Sequence, residues 1–287
     1  MSSKLIDLIN HYDKILDRAG IEAPRQNIER LLEKILGLKR IDLYLNPNLE
    51  IKPDDQNNLA DLIERRLKYE PLQYILGETE FYGLPFKADK RALIPRPETE
   101  FVVSEGLEWL KAGSEMNVLD LACGSGNIVV SLAVNAPAHN YYAADLSSEA
   151  VELAKENAEL NQVSQKIKYH QGNLFEPFQN MKIKFNLICA NPPYIKTGEF
   201  DQLHEQVKKY EPSQALFSGV DGLDFIREML IQAPQHMCRK SRLIFEIAMG
   251  QVEDIKALLS EQDFLALAST GRDYNDIERV IVLDTIS

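Results

Sequence analysis

Apolar residues recur with a helical period over the first 75 or so residues. Pro24 is predicted to begin a helix that ends at Gly37, and Pro53 another that stops before Pro71. An earlier helix is predicted before Gly20. Its apolar face comprises Leu5, Leu8, Ile9, Tyr12, Ile15 and Leu16. The pattern therefore predicts a small helical domain over residues 1–76.

The periodicity changes in the next segment. Two short apolar runs separated by Gly83 and Pro85 predict a hairpin, which would connect two domains over 77–96. From residue 97 onward, helical and strand-like segments alternate, which is typical of an α/β fold with a parallel sheet. We expect a loop over 196–218 and an antiparallel hairpin at the end of the 97–287 domain. The predicted segments are helices 97–112, 126–135, 148–161, 221–235 and 251–261, and strands 117–122, 140–145, 167–171, 185–190, 242–248, 264–268 and 279–284.

The charge of this 287-residue chain is unevenly distributed. The net charge is −12; residues 1–95 carry 15 basic against 16 acidic residues, and the rest carry 17 against 28. Because binding of a nucleic-acid backbone depends on lysine and arginine, this balance favours a protein partner over DNA or RNA. No run of about 20 apolar residues is present, and three scattered cysteines indicate neither disulfides nor a zinc site. We therefore expect a cytoplasmic protein without a metal.

A glycine turn follows the first strand of the α/β domain. In 118-VLDLACGSGN-127, Gly124 and Gly126 lead into a helix, whose free N–H groups can meet a ligand. About 20 residues later Asp145 ends the second strand, where a carboxylate can accept hydrogen bonds from ribose hydroxyls. A plain strand-to-helix turn and a helix-capping acid are the alternatives. Together the two features favour a nucleotide-like cofactor.

The tetrapeptide Asn191-Pro192-Pro193-Tyr194 ends the strand 185–190. The prolines lack N–H groups, so the loop presents acceptors: the Asn191 side-chain oxygen and the proline carbonyls. A planar NH2 group would fit these acceptors, with its face against a tyrosine ring that we expect to be exposed. If such a nitrogen attacks as a nucleophile it becomes positive, so fixed acceptors would stabilise the transition state. No catalytic histidine is required, and His170 and His204 are interpreted as ordinary polar residues.

The tetrapeptide alone leaves its substrate open. An exocyclic amino group of a nucleic-acid base and the side-chain amide of glutamine both present such an NH2 group. A base flipped out of DNA would require a basic track. The acidity of the second domain therefore favours a protein substrate.

The form D-L-x-x-G-x-G resembles the first motif of class I S-adenosylmethionine-dependent methyltransferases. This resemblance implies a Rossmann-like sheet and S-adenosyl-L-methionine as the cofactor, with S-adenosyl-L-homocysteine as the product. It further implies that Asp120 and the turn hold the methionine part, Asp145 the ribose and Asn173 the adenine. Ala122 stands where the family usually has glycine, which is tolerable if its φ is negative. The cofactor-binding residues implied are Asp120, Ala122, Cys123, Gly124, Ser125, Gly126, Asp145, Asn173, Leu174 and Asn191.

Motifs along nearly the whole chain resemble the HemK family of glutamine methyltransferases. They are 71-PLQYILGETEFYGLPFKADKRALIPRPETE-100, NPPYI, 211-EPSQALFSGVDGLDFIREML-230, 244-IFEIAMGQ-251 and 274-YNDIERV-280. The resemblance implies methylation of the glutamine in the Gly-Gly-Gln motif of class 1 peptide chain release factors, with the helical domain gripping the release factor. Under this reading Asn191, Pro192, Pro193 and Tyr194 bind the amide, and Asn191, Pro192 and Tyr194 act in catalysis.

Two alternatives share the tetrapeptide: a ribosomal-protein glutamine methyltransferase and a DNA adenine methyltransferase. The segment 95-PRPETE-100 and the ending at 276–280 favour the release-factor type, and the charge disfavours DNA. The same resemblance places Arg96 to Thr99 near the cofactor. Glu246, an acid in an apolar strand, is a further candidate for the wall of the site.

Overall fold

The computed structural model describes residues 3–111 and 114–286; residues 1, 2, 112, 113 and 287 lie outside the description. The described chain divides into two compact units, 3–77 with His204–Tyr210 and 78–203 with 211–286. The functional division at 1–76, 77–96 and 97–287 stays a prediction. Within the described residues, no helix has the length and apolar character needed to cross a bilayer.

The first unit is mostly helical and buries one apolar core. Its second and fourth helices begin at Pro24 and Pro53, as predicted, and Gly37 ends the second helix with a φ of +65°. Two shorter helices were not predicted, because five or six residues are too few to show a periodicity. The elements are β1 (Ser3–Lys4), α1 (Leu5–Arg18), α2 (Pro24–Leu36), α3 (Arg40–Leu45), β2 (Glu50–Ile51), α4 (Pro53–Leu67) and α5 (Leu72–Leu76).

The second unit begins with the predicted hairpin and continues as alternating strands and helices. One helix within this run of the chain, Glu205–Tyr210, belongs to the first unit. In chain order the elements are β3 (Glu78–Phe81), β4 (Leu84–Lys87), α6 (Glu100–Lys111), β5 (Asn117–Leu121), α7 (Asn127–Asn135), β6 (Asn140–Asp145), α8 (Ser148–Leu160), β7 (Ile167–Gln171), β8 (Phe185–Ala190), α9 (Glu205–Tyr210), α10 (Asp224–His236), β9 (Met237–Glu246), α11 (Val252–Leu259), β10 (Leu265–Arg272) and β11 (Glu278–Thr285).

The seven-stranded sheet of this unit has the order β10-β11-β9-β8-β5-β6-β7. Strands β5 to β9 pair in parallel, β11 runs antiparallel to β9, and β10 runs antiparallel to β11 at the edge. The prediction of a mostly parallel sheet with an antiparallel C-terminal hairpin is confirmed. Strand β5 has β6 on one side and β8 on the other, so the chain reverses its winding direction there. Open α/β sheets bind ligands at the carboxyl ends of such strands.

Several predicted boundaries differ from the structure, and two elements illustrate this. The helix predicted over 97–112 is a 3₁₀ turn, Pro97–Thr99, followed by α6; residue 112 lies outside the described residues. The strand predicted over 242–248 begins earlier, at Met237, and ends at Glu246. Charged residues interrupt the apolar run at the start of this strand, so its first residues show no strand pattern in the sequence. In the structure Lys240 has a φ of +56°.

The segment 196–218 was predicted to be a loop, and this prediction is wrong because it contains α9. The helix packs in the first unit: the Tyr210 hydroxyl donates to the Lys68 carbonyl at 3.1 Å, and Arg66 donates to the Gln206 side chain at 3.3 Å. These partners lie more than 130 residues earlier in the chain. A helix of six residues whose contacts are so distant has no local signal in the sequence.

Candidate active site

The register of the parallel strands brings the predicted site residues to one edge of the sheet. Leu121, the last residue of β5, lies opposite Ala144 of β6 and Ala190 of β8. Asp145 and Asn191 come directly after those partners, and the glycine turn begins one residue after Leu121. The turn, the acid and the tetrapeptide therefore emerge side by side at the carboxyl ends of three adjacent strands.

A cavity of about 420 Å³ opens at this edge of the sheet. Four predicted site residues are not among the residues that line it: Asp120, Gly126, Pro192 and Tyr194. Two further walls, formed by 90–95 and 212–215, were assigned no binding role from the sequence, although both lie within the motifs that carry the family resemblance. The predicted residues that do line the cavity are Ala122, Cys123, Gly124, Ser125, Asp145, Asn173, Leu174, Asn191 and Pro193.

Hydrogen bonds hold the glycine turn in shape. The Cys123 N–H donates to the Ala144 carbonyl at 3.1 Å, and the Gly126 N–H donates to the Cys123 carbonyl at 2.7 Å. Gly126 has a φ of +77°, and a Cβ atom there would lie 2.9 Å from the Cβ of Ala154. Glycine at this position therefore permits both the backbone conformation and the close approach of α8.

Ala122 does not meet the condition of a negative φ under which alanine would be tolerable at this position. Its φ is +54°, in the left-handed region that side-chain-bearing residues rarely adopt. Leu174, on the opposite wall of the cavity, is also left-handed, with a φ of +46°. Such conformations cost about 1–2 kcal/mol each and persist only where the surrounding structure imposes them. Two strained residues therefore face the same cavity.

Asp145 fastens the turn to the second strand. One carboxylate oxygen accepts from the Gly124 N–H at 2.9 Å, and the other accepts from the Ser147 N–H at 2.9 Å. Burial raises the pKa of Asp145, and these hydrogen bonds partly offset the increase. The helix cap is Ser147, whose hydroxyl accepts from the Ala150 N–H. Asp145 is thus free of the capping role and keeps acceptor capacity toward the cavity.

Asp120 lies beneath the turn and is fully buried. Its Oδ2 accepts from the Val129 N–H at 3.1 Å, whereas Oδ1 has no hydrogen-bond partner among the described residues. Burial raises the pKa of Asp120 well above its usual value. A buried carboxylate oxygen without a donor is costly. Its contact with the methionine part of the cofactor stays a prediction.

Asn173 and Leu174 form the wall beyond β7. The preceding residue, Gly172, donates its N–H to the Asp145 carbonyl at 3.0 Å, so this wall is tied to the acid. The Asn173 N–H donates to the Glu176 side chain at 3.0 Å, and among the described residues the Asn173 side chain has no hydrogen-bond partner. The amide of Asn173 can both donate and accept, as adenine recognition requires.

Side-chain hydrogen bonds connect the tetrapeptide to two distant elements. The Asn191 Nδ2 donates to the Thr99 hydroxyl at 3.0 Å, and Thr99 donates to Glu246 Oε2 at 2.6 Å. The Tyr194 hydroxyl donates to Glu246 Oε1 at 2.9 Å. Tyr194 was expected to be exposed, but it is partly buried because its hydroxyl reaches this carboxylate. Glu246, only a candidate in the sequence, is the centre of the network.

An ion pair between a partly exposed arginine and a buried glutamate links the remaining walls of the cavity. Arg96 donates to Glu211 Oε1 at 2.6 Å, and the Ile94 N–H donates to the other oxygen at 3.3 Å. The Glu211 side chain is fully buried. Because 90–95 and 212–215 both line the cavity, this contact fastens one wall to the other.

Comparisons with known proteins agree with this arrangement. Residues 7–77 match the PrmC N-terminal domain, and residues 106–210 match the methyltransferase small domain. Among solved structures, the catalytic domain of hMettl16 in complex with MAT2A 3′UTR hairpin 6 has a TM-score of 0.55 at 16% identity, covering 77% of this chain and 81% of that chain. This likeness concerns the fold alone. The sheet and the family match define a class I methyltransferase.

Sequence relatives narrow the class. A release factor glutamine methyltransferase of Geobacter sulfurreducens is 38% identical over 278 residues, which cover 97% of this chain and 94% of the relative. Another, of Fusobacterium nucleatum, is 35% identical over 278 residues, which cover 96% and 78%. The chain belongs to the release factor glutamine methyltransferase family, and the family resemblance predicted from the motifs is confirmed.

Proposed function

We propose that this protein methylates the side-chain amide nitrogen of the glutamine in the Gly-Gly-Gln motif of class 1 peptide chain release factors. The observation that carries the proposal is the position of Asn191. Its amide lies at the wall of a cavity whose other walls are the glycine turn and Asp145. The names of the relatives support a release factor as the substrate.

S-adenosyl-L-methionine is the cofactor that the residues of the cavity fit. The volume of about 420 Å³ lies within the range of small-molecule sites. Asp145 would accept from the ribose hydroxyls, Asn173 and Leu174 would contact the adenine, and the turn from Ala122 to Gly126 would hold the methionine part. When bound, the cofactor supplies a methyl group on a positively charged sulfur.

Asn191 would hold the nitrogen of the substrate. Within the described residues its Oδ1 accepts no hydrogen bond, so that oxygen can receive an N–H of the glutamine amide. As the nitrogen lone pair leaves conjugation with the carbonyl, the N–H groups gain positive character and the hydrogen bond strengthens. The nitrogen then loses its proton readily to water. Neither His170 nor His204 lines the cavity.

The substrate partner is proposed to be a protein. The acidic balance after residue 95 opposes contact with a phosphate backbone. The helical unit, which matches the PrmC N-terminal domain, would contact the release factor outside the cavity. We accordingly expect no direct binding of nucleic acid.

A transfer assay tests this proposal. The protein is incubated with methyl-labelled S-adenosyl-L-methionine and a class 1 release factor, either wild type or with the motif glutamine replaced by alanine. We expect label on the wild-type factor alone. Parallel reactions contain ribosomal proteins or DNA in place of the factor. Equal label on both factors, or label only on DNA or a ribosomal protein, would refute the proposed substrate.

A further inference from the structure

Thr99 and Glu246 form a buried relay behind the tetrapeptide. Thr99 is fully buried, and Glu246 is 2% exposed. Glu246 is the last residue of β9, and the pair Ala190–Phe245 in the register places it beside Asn191. Thr99 comes from the 3₁₀ turn before α6 and lies between the two side chains.

The direction of each hydrogen bond follows from the chemistry of its partners. An ionised carboxylate can only accept, so the Thr99 hydroxyl must donate to Glu246. A hydroxyl has one hydrogen, and Thr99 can therefore only accept from Asn191. The amide of Asn191 must consequently turn its NH2 group toward Thr99. Its carbonyl oxygen is then the atom left for a substrate.

We propose that Thr99 and Glu246 are positioning residues that hold Asn191 in the one amide orientation that presents an acceptor to the substrate nitrogen. This inference rests on the proposed function. The two ends of an asparagine amide have nearly the same size, so packing cannot choose between them. With the opposite orientation, the NH2 of Asn191 would face the NH2 of the glutamine, donor against donor. Only the polarity of the hydrogen bonds prevents this.

The same carboxylate orients the ring of the tetrapeptide. Burial raises the pKa of Tyr194, so its hydroxyl stays protonated and donates to Glu246. Glu246 thus orients Asn191 by way of Thr99, and it orients Tyr194 by a direct hydrogen bond. A purely structural position would be filled at lower cost by an apolar residue, since burying a carboxylate is expensive. Burial of this carboxylate is explained if the site needs a group that only accepts hydrogen bonds, so that Thr99 and Tyr194 must both donate to it.

The charge state of Glu246 depends on several groups around it. Burial raises its pKa above the usual value, while hydrogen bonds from Thr99 and Tyr194 lower it. The neighbouring charge of Glu98 also raises the pKa, and that of Arg279 lowers it. A protonated Glu246 could donate to Thr99, which would reverse the relay and release the orientation of Asn191. The orientation is therefore sensitive to any change that gives position 246 a hydrogen to donate.

Four single variants test the relay in the full-length protein. Glu246→Gln keeps the shape of the side chain but replaces one of its two acceptor oxygens by an NH2 group, so Thr99 and Tyr194, which donate to different oxygens, cannot both keep their acceptor. Thr99→Val removes the hydroxyl, and Thr99→Ser keeps it. Glu100→Gln is the matched control: its carboxylate accepts from the Tyr82 N–H, and glutamine preserves that acceptor. Each variant is assayed for kcat and KM with the release factor, for the Kd of S-adenosyl-L-homocysteine and for its melting temperature.

We expect Glu246→Gln and Thr99→Val each to lower kcat about 10- to 100-fold, with the Kd of S-adenosyl-L-homocysteine changed by less than about 3-fold. Thr99→Ser and Glu100→Gln should keep kcat within about 3-fold of wild type. The double variant Glu246→Gln/Thr99→Val should lose less than the product of the two single losses, because one residue acts through the other.

Several results would overturn the relay. Unchanged kcat in Glu246→Gln and Thr99→Val would do so. A loss of affinity for S-adenosyl-L-homocysteine as large as the loss of kcat would also do so, as would a Thr99→Ser variant with a kcat no higher than that of Thr99→Val. If a variant melts much earlier than wild type, the comparison of Thr99→Ser with Thr99→Val decides, since both are small changes. A wild-type protein that labels no release factor refutes the proposed function instead, before any variant is compared.

Discussion

The replacement Ala122→Gly should stabilise the methyltransferase unit. Ala122 has a φ of +54°, and a left-handed conformation costs a residue with a Cβ about 1–2 kcal/mol. Glycine removes that cost but gains about 0.4–1 kcal/mol of conformational entropy in the unfolded chain. The difference predicts a net stabilisation of about 0.5–1 kcal/mol. For a unit of about 200 residues this raises the melting temperature by roughly 2 °C.

The chain provides a specific probe for this unit. Its single tryptophan is Trp109, in α6, where Arg242 lies over the ring at 4.4 Å and the indole N–H donates to the Asn186 carbonyl. Both partners belong to the second unit, so fluorescence during thermal or urea unfolding reports on that unit and not on the helical one. Unfolding of wild type and Ala122→Gly would be compared without ligand.

A matched control separates backbone strain from the loss of a methyl group. Ala144→Gly makes the same substitution one strand away, in β6, where the φ is not positive. It should destabilise the unit by about 1 kcal/mol, because glycine adds chain entropy and removes a buried methyl. If Ala122→Gly destabilised the protein as much as Ala144→Gly, the inferred strain at Ala122 would be refuted.

Further predictions concern the cavity and its supports. Asn191→Ala should lower kcat about 100-fold or more but change the Kd of S-adenosyl-L-homocysteine by less than about 5-fold. Asn157→Ala should lower the free energy of unfolding by about 2–3 kcal/mol in urea, because this buried side chain accepts from the Lys87 N–H at 2.7 Å and donates to the Ser125 carbonyl at 2.9 Å. Burial raises the pKa of Glu246, so kcat should fall toward acid at a pH above the usual glutamate value of 4.5, and Glu246→Gln should lack that part of the profile.

Each of these predictions has a result that contradicts it. Equal losses of turnover and cofactor affinity in Asn191→Ala would contradict the role of the Asn191 oxygen as hydrogen-bond acceptor for the substrate amide. Wild-type stability in Asn157→Ala would show that water replaces the lost hydrogen bonds. The acid loss of activity must also be separate from unfolding: a carboxyl whose pKa is raised in the folded state stabilises the fold at low pH, and that contribution is lost as the pH rises through the folded pKa. A melting temperature that fell together with kcat would point to other groups.

The sequence by itself determined the fold class and most of the element order. Parallel strands that are buried on both faces appear in the sequence as short apolar runs. Helices that pack on a sheet show apolar residues three or four positions apart, so both elements can be recognised from residues that are close in the chain. Gly126 and Asp145 were recognisable because their roles follow from short spacings after two strands. The tetrapeptide at Asn191 was recognisable because two prolines after a buried strand have few structural explanations.

Only the tertiary structure decided which residues complete the site. Thr99 and Glu246 meet Asn191 across 92 and 55 positions of chain, and α9 meets Lys68 across about 140. The left-handed conformation of Ala122 likewise depends on the hydrogen bonds around the turn, since alanine by itself prefers a negative φ. Periodicity and spacing describe neighbours along the chain. Hydrogen-bond polarity and backbone strain arise from neighbours in space, which sheet register and packing bring together.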